Sequence, residues 1–304
     1  MPRVLICDKL DEEGINLLRE AGFEVDVKLD HTPETLKEAV KDYDAVIVRS
    51  RTKITKEIIA AMDRTKVVAR AGVGLDNIDV QAAKEKGLKV INSPEAVSQA
   101  TAELSLALLF SLIRQIPYAN LCIKGGEWPK SKIMGRELKG KTLGIIGFGR
   151  VGYIVAKVAK AIGMRVIAYD VVDKEAQMKE LGVEKVTLEE LLKDSDVISL
   201  HATLTPQSRH LIGRRELSMV KRGAILVNTA RGSLVDEEAL KEALTSGQLA
   251  GAAIDVCEVE PPQKFDLLRL PNVVCTPHIG AQTEEAQKHA SLIIAKKVIE
   301  ELKR

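Results

Sequence analysis

Short apolar runs at residues 4–7, 25–28, 45–48, 67–70 and 89–91 alternate with stretches in which apolar residues recur at three- and four-residue intervals. The first pattern predicts a strand and the second a helix. Strands and helices alternating in this way build a parallel sheet covered by helices on both faces. The rhythm resumes at 142–146, 165–169, 197–200, 224–228, 252–256 and 273–276, so two sheets are expected. Asn92-Ser93-Pro94 is the expected crossing point, because Pro94 disfavours helix at Ser93 and precedes a long helix over 98–115. The last segment, 284–303, spaces Ala286, Ala290, Ile293, Ile294 and Val298 along one helical face that needs a surface to cover. The second sheet already has helices, so this one is expected to return to the first domain. The expected domains are 1–97 plus 281–304, and 98–280.

Composition narrows the class. A chain of 304 residues that is 45% hydrophobic can bury the cores of two ordinary domains. Lys plus Arg total 45 against 43 for Asp plus Glu, a balance that argues against a nucleic-acid partner. The longest apolar stretch, 104–113, is broken by Ser105 and Ser111 and is too short to span a bilayer. No membrane partner is expected. No secretory leader is expected ahead of Val4, and Cys7, Cys122, Cys257 and Cys275 lack any close pair spacing. These four read as reduced thiols filling the core, and a cytoplasmic location is the expectation. His31, His201, His210 and His289 read as structural or exposed, with no pair at metal-ligand spacing, so no metal is expected.

Residues 142–170 carry a denser signal. The apolar run 142–146 meets Gly147-Phe148-Gly149-Arg150-Val151-Gly152, then a helix predicted from about Val151, a second strand and Asp170. Gly147 would make the sharp turn, Gly149 would let the backbone approach a pyrophosphate, and Gly152 would let helix and strand pack closely. The pyrophosphate would meet the unpaired N–H groups and positive dipole end of the helix. Asp170, at the end of the second strand, would accept from the hydroxyls of an adenine ribose and repel a 2′-phosphate. Val171 and Val172 follow in place of a neutralising arginine, so the expected cofactor is NAD(H) over NADP(H).

Three polar residues fall just beyond predicted strands of the second domain: Arg231, Glu260 and His278. The carboxyl ends of strands in a parallel sheet face the binding crevice, which makes them candidates for one site.

The runs Asn228-Thr229-Ala230-Arg231-Gly232, Asp255 with Glu260-Pro261-Pro262, and Thr276-Pro277-His278-Ile279-Gly280 resemble the D-isomer-specific 2-hydroxyacid dehydrogenases, over essentially the whole chain. Arg49-Ser50 with Thr52-Lys53, the run 70–77, and Met134-Gly135 with Glu137-Leu138 ahead of 140–144 resemble the branch acting on a phosphorylated 2-hydroxy acid. The resemblance implies a Rossmann-type cofactor domain inserted in a flavodoxin-like substrate domain. It implies that His278 exchanges a proton with the C2 oxygen during hydride transfer to or from nicotinamide. Glu260 would fix the imidazole tautomer and favour the imidazolium, and Arg231 would hold the α-carboxylate or polarise the carbonyl. Cofactor contacts are implied for Gly147, Gly149, Arg150, Val151, Gly152, Asp170, Ala202, Thr229, Ala230, Asp255 and Gly280, with Asp255 accepting from the nicotinamide carboxamide. Substrate contacts are implied for the backbone of Gly72, Val73 and Gly74, while Arg49 and Arg70 are the candidates for a phosphate, joined by Lys130 or Lys132 of a partner subunit.

Thr203 stands where the family usually has proline and Val97 where a polar residue is common, so substrate choice is less determined than reaction class. With the chain ending at Arg304, feedback through a C-terminal regulatory domain is not expected. The alternatives are reduction of glyoxylate or hydroxypyruvate by the same residues, or a non-catalytic NAD-sensing corepressor. The resemblance, with the broadly apolar helix 98–115, implies a homodimer.

Overall fold

The computed structural model describes residues 1–303, and the chain forms two units, Met1–Ala100 with the segment from Ala281, and Thr101–Gly280. In chain order the elements are β1 (Arg3–Ile6), α1 (Glu12–Glu20), β2 (Glu24–Val27), α2 (Pro33–Ala39), β3 (Ala45–Val48), α3 (Lys56–Ala60), β4 (Val67–Arg70), α4 (Val80–Glu85), β5 (Lys89–Asn92) and α5 (Ser98–Ile113). There follow α6 (Ile116–Lys124), β6 (Thr142–Ile146), α7 (Arg150–Ala161), β7 (Arg165–Tyr169), α8 (Glu175–Glu180), β8 (Glu184–Lys185), α9 (Leu188–Asp194) and β9 (Val197–Leu200). The chain closes with α10 (Arg214–Met219), β10 (Ala224–Asn228), α11 (Glu237–Thr245), β11 (Leu249–Ile254), β12 (Val273–Cys275) and α12 (Glu284–Lys303).

Both sheets are parallel, as the α/β rhythm requires. In the first unit the order is β2-β1-β3-β4-β5, and in the second β12-β11-β10-β9-β6-β7-β8. Central strands such as β3, apolar throughout, and β4, apolar up to Arg70 at its carboxyl end, have both faces buried by helices. Each order reverses once, between β1 and β3 in the first sheet and between β6 and β9 in the second. Crossovers leave in opposite directions there and open a crevice beyond the strand ends.

Some helices begin where the sequence supplies an acceptor. Asp11 caps α1 through the Glu13 N–H, and Thr187 and Glu190 form a reciprocal cap on α9. The apolar face of α12 buries Ala286, Ala290, Ile294 and Val298 in the core of the first unit, against α1. That contact is close enough that a Cβ on Gly14 would fall 2.1 Å from Ser291 Oγ, which itself donates to Asp11 O at 2.9 Å.

Several expectations need adjusting. The first unit extends to Ala100 instead of residue 97, because Ala96, Val97 and Ala100 are buried in its core and carry the first turn of α5 with them. The helix expected over 98–115 stops at Ile113, since Gln115 adopts a left-handed φ of 53° and α6 begins at Ile116 with Pro117 in its first turn. Only Cys7 among the cysteines is fully buried, with its thiol pushed up by burial to about 12, whereas Cys275 is exposed. Among the described residues no single helix is long and apolar enough to cross a membrane.

Candidate active site

The glycine-rich turn lies at the reversal point of the second sheet. Gly147 has a φ of 94°, and a Cβ there would fall 2.5 Å from the Ala202 nitrogen, so the ends of β6 and β9 meet only because it has no side chain. Gly152 abuts the same turn, with a Cβ position 2.4 Å from the Gly147 carbonyl oxygen. Around Gly149 nothing lies within 4 Å of a Cβ position. That open side faces the start of α7, whose Gly149 cap supplies no side-chain acceptor, so the first-turn amides of Arg150, Val151 and Gly152 remain for an anion. Phe148 anchors the turn: its buried ring meets Tyr153 edge-on, and burying a phenyl ring contributes about 3 kcal/mol.

Asp170 follows β7 and braces this turn, accepting the Phe148 N–H at 2.7 Å and the Val172 N–H at 2.8 Å. A carboxylate has about four acceptor positions, so capacity remains for two ribose hydroxyls. The turn, the open helix end and the acid therefore fit a dinucleotide. At the end of β9, burial pushes the His201 imidazole down to about 4, and the neutral ring pairs with Ser199 Oγ at 2.9 Å.

Arg231, Glu260 and His278 come together within this unit. His278 Nδ1 donates to Glu260 Oε2 at 2.6 Å, and the Cys257 N–H donates to Glu260 Oε1 at 3.1 Å. Burial alone would raise the Glu260 carboxyl, but the bond and charge of His278, the Cys257 amide and the Arg231 guanidinium together hold it below the usual range. Both side chains of the pair remain partly open, His278 at 40% and Glu260 at 38% exposure. Arg231 is aligned by its own turn, with Nη1 donating to Ala230 O at 2.7 Å and its carbonyl accepting from Asn228 Nδ2 at 2.9 Å. Gly232 joins the two loops, for a Cβ there would fall 2.0 Å from the Cys257 carbonyl carbon.

Asp255 builds the His278 turn. His278 has a left-handed φ of 53°, a conformation that costs a non-glycine residue about 1 kcal/mol or more. It is held by Asp255, whose Oδ1 accepts from Thr276 Oγ1 at 2.6 Å and Ile279 N at 2.8 Å while Oδ2 accepts from Gly280 N at 2.9 Å. Only the acceptor capacity left by these bonds is free for the carboxamide role the resemblance implied. Thr229 is buried, sharing a 2.6 Å hydrogen bond with Ser105 Oγ of α5. Sequence reading missed Asn228, Thr276, Ser105 and Glu258, the last of which ties this loop to Arg209 at 3.3 Å and to His210 at 3.1 Å. Asn228 and Thr276 stood within the runs that carry the resemblance, whereas Ser105, inside α5, and Glu258 gave no signal of their own.

The substrate candidates of the first unit also sit at strand ends. Val48 pairs with Arg70, the last residue of β4, which puts Arg70 at and Arg49 just beyond the same edge of the sheet. The Arg49 amide is held by Asp8 and its guanidinium donates to Lys9 O at 3.2 Å, while Arg70 lies 3.9 Å from Asp76. Gly72 does not offer its N–H to a ligand as expected, because Ser93 Oγ accepts it at 3.0 Å. Val73 and Gly74 remain as candidate amides.

Residues 106–280 match the family described as D-isomer specific 2-hydroxyacid dehydrogenase, NAD binding domain. The chain is 49% identical over 299 residues to D-3-phosphoglycerate dehydrogenase of Methanocaldococcus jannaschii, covering 98% of this chain and 57% of that one. It is 47% identical over 304 residues to hydroxypyruvate reductase of Thermotoga maritima, covering 99% and 98% of the two chains. The chain thus spans little more than half the length of the first relative and nearly all of the second. A solved D-lactate dehydrogenase of Aquifex aeolicus, complexed with NAD and lactic acid, superposes with a TM-score of 0.88 at 31% identity, covering 99% and 95%.

Proposed function

Because the chain belongs to the D-isomer-specific 2-hydroxyacid dehydrogenase family, and its second unit matches that family's NAD-binding domain, we propose that it oxidises D-3-phosphoglycerate to 3-phosphohydroxypyruvate, a step of serine synthesis. The observation that carries the catalytic part is the 2.6 Å bond between His278 Nδ1 and Glu260 Oε2, with Arg231 close enough to lower the same carboxyl. An ionised glutamate only accepts, so this bond fixes the imidazole with its proton on Nδ1 and leaves Nε2 to take the proton of the C2 hydroxyl. The imidazolium that forms is stabilised by Glu260. Arg231 binds the α-carboxylate with its planar donor fork. When bound, NAD supplies the hydride acceptor for C2. Asp170 selects NAD over its 2′-phosphorylated form, and Arg49, Arg70 and the amides of Val73 and Gly74 receive the anionic ends of the substrate.

Reduction of hydroxypyruvate or glyoxylate is the second reading, favoured by the 47% identity over 304 residues to the hydroxypyruvate reductase of Thermotoga maritima. Comparing kcat/KM for 3-phosphoglycerate oxidation with that for glyoxylate and hydroxypyruvate reduction decides between them. Preference for the unphosphorylated acids removes the phosphate assignment. Binding of NADH without turnover of any 2-hydroxy or 2-oxo acid removes the enzyme reading in favour of a nucleotide-sensing protein.

The proposal includes a homodimer acting in the cytoplasm. No residue of α6 is buried, and Ile116, Leu121 and Ile123 with Trp128 and Met134 leave a large apolar surface. This helix, more than α5, is the face a second copy would cover. Light scattering of Leu121→Glu is expected to give half the mass of the parent protein, and a parent that is itself monomeric rejects the dimer.

A further inference from the structure

The order of the first sheet reverses between β1 and β3, and two residues stand at the carboxyl ends of those strands: Asp8, two positions after β1, and Arg49, immediately after β3. This is where a crevice opens in such a sheet. Asp8 is nevertheless only 4% exposed. Its Oδ2 accepts the Arg49 N–H at 2.6 Å and the Thr52 N–H at 3.2 Å, while Oδ1 accepts Thr52 Oγ1 at 2.7 Å and Arg51 Nε at 3.1 Å. A carboxylate so enclosed is tolerable only because these donors compensate for lost water. Burial pushes the Asp8 carboxyl up, but the Thr52 hydroxyl, the two amides and Arg51 outweigh it and hold it below the ordinary range.

The other groups of Arg49 are fixed as well. Asn77 Nδ2 donates to the Arg49 carbonyl at 2.7 Å and to the Thr52 carbonyl at 2.5 Å, and the Arg49 guanidinium donates to the Lys9 carbonyl at 3.2 Å. Amide, carbonyl and side chain are therefore held by three different residues. A long cation whose rotamer freedom is already lost binds an anion with less entropy cost than a mobile one.

We propose that Asp8 is a positioning residue for substrate binding: its carboxylate, seconded by Asn77, clamps the loop from Arg49 to Thr52 so that the Arg49 guanidinium is preset for the substrate's anionic end. This rests on the reading of the protein as a dehydrogenase of phosphorylated or plain 2-hydroxy acids. A loop staple with no functional consequence would have the same bonds, so the test must separate the two.

In Asp8→Asn an amide NH2 replaces one acceptor oxygen and faces donors. Hydrogen exchange should speed up at the amides of Arg49 and Thr52. KM for 3-phosphoglycerate, or for glyoxylate if that is the acid turned over, should rise about tenfold. The Kd for NADH should stay as in the parent, and kcat should change far less than KM. Arg49→Ala should raise KM similarly, and the double variant should be no worse than Arg49→Ala alone, because the clamp acts through that residue. Asn77→Ala supplies the same readouts if Asp8→Asn does not fold. Unchanged exchange overturns the clamp. Faster exchange with an unchanged KM, or fully multiplicative effects in the double variant, overturns the positioning role. A parent protein that binds NADH but turns over no acid defeats the dehydrogenase reading and with it the substrate role, while the exchange result still judges the clamp.

Discussion

The backbone of Cys257 lies so close to Gly232 that a Cβ on the glycine would fall 2.0 Å from the Cys257 carbonyl carbon and 2.3 Å from the Glu258 nitrogen. Those neighbours are backbone and cannot swing aside. The contact joins the loop bearing Arg231 to the loop bearing Glu260. Gly232→Ala should therefore destabilise the second unit by about 3 kcal/mol, near the upper end of the usual cost of overpacking, and reduce kcat/KM even in the fraction that folds. Urea unfolding followed by kinetics on the folded protein measures both. A variant as stable and active as the parent would show that the loops do not depend on this contact.

Glu260→Gln keeps the shape of the side chain but removes its charge, and its amide can present a donor to His278. The imidazole then loses both its fixed tautomer and the partner that stabilises its charged form. The expected result is a fall in kcat of about a hundredfold or more, the scale of acid–base catalysis, with the Kd for NADH unchanged. Stopped-flow hydride transfer and NADH fluorescence titration test the two halves separately.

Asp170 braces Phe148, and in the proposed function it also disfavours a 2′-phosphate. In Asp170→Ala, KM for NAD should rise by about tenfold or more from the lost charged hydrogen bonds, while the ratio of NADP to NAD efficiency climbs. Parallel assays with the two cofactors give that ratio. If it stays fixed, the carboxylate does not select the cofactor.

His201 contributes a pH dependence of definite sign. Its folded value, about 4, lies below the ordinary histidine value of about 6.5, so the unfolded chain binds more protons between these limits. The stability it contributes is complete above about 6.5 and is lost as pH falls toward about 4. Thermal unfolding of the parent and His201→Gln should diverge least at low pH and most near neutrality. A His201 ring resonance that titrates near pH 6.5 would remove the basis of this expectation.

The strands were legible because a strand buried on both faces is a nearly continuous apolar run: 45–48 is apolar throughout, and 67–70 and 224–228 turn polar only at their last residues, Arg70 and Asn228. The glycine turn was equally plain, since Gly147 and Gly152 occupy places where a Cβ would meet backbone within 2.5 Å. Boundaries were less so. Ser98, Gln99 and Ala100 belong to the first unit although they continue into α5, because helix periodicity says nothing about which core a helical turn is packed on. The two-residue strand β8, Glu184–Lys185, is too short and polar to leave any pattern.

The candidate site was legible in part. Arg231, Glu260 and His278 could be picked out by their places after strands, and the family match bears on their type of chemistry. Their support could not be read in advance. Asp8, Asn77 and Asp255 are polar residues whose partners stand far along the chain, from Asp8 to Arg49 and from Asp255 to Gly280. The same letters on a surface loop would be solvated and idle.

Taken alone, the order of amino acids determined two parallel sheets, a turn that only glycine can make, and the residue types available at each strand end, since these follow from local sterics and from repeating apolar patterns. The folded chain decided which of those polar groups are desolvated against one another: His278 on Glu260, Gly232 on Cys257, Asp8 on Arg49. Hydrogen-bond and Coulomb energies depend on distance and burial, and neither quantity exists until remote segments have packed together.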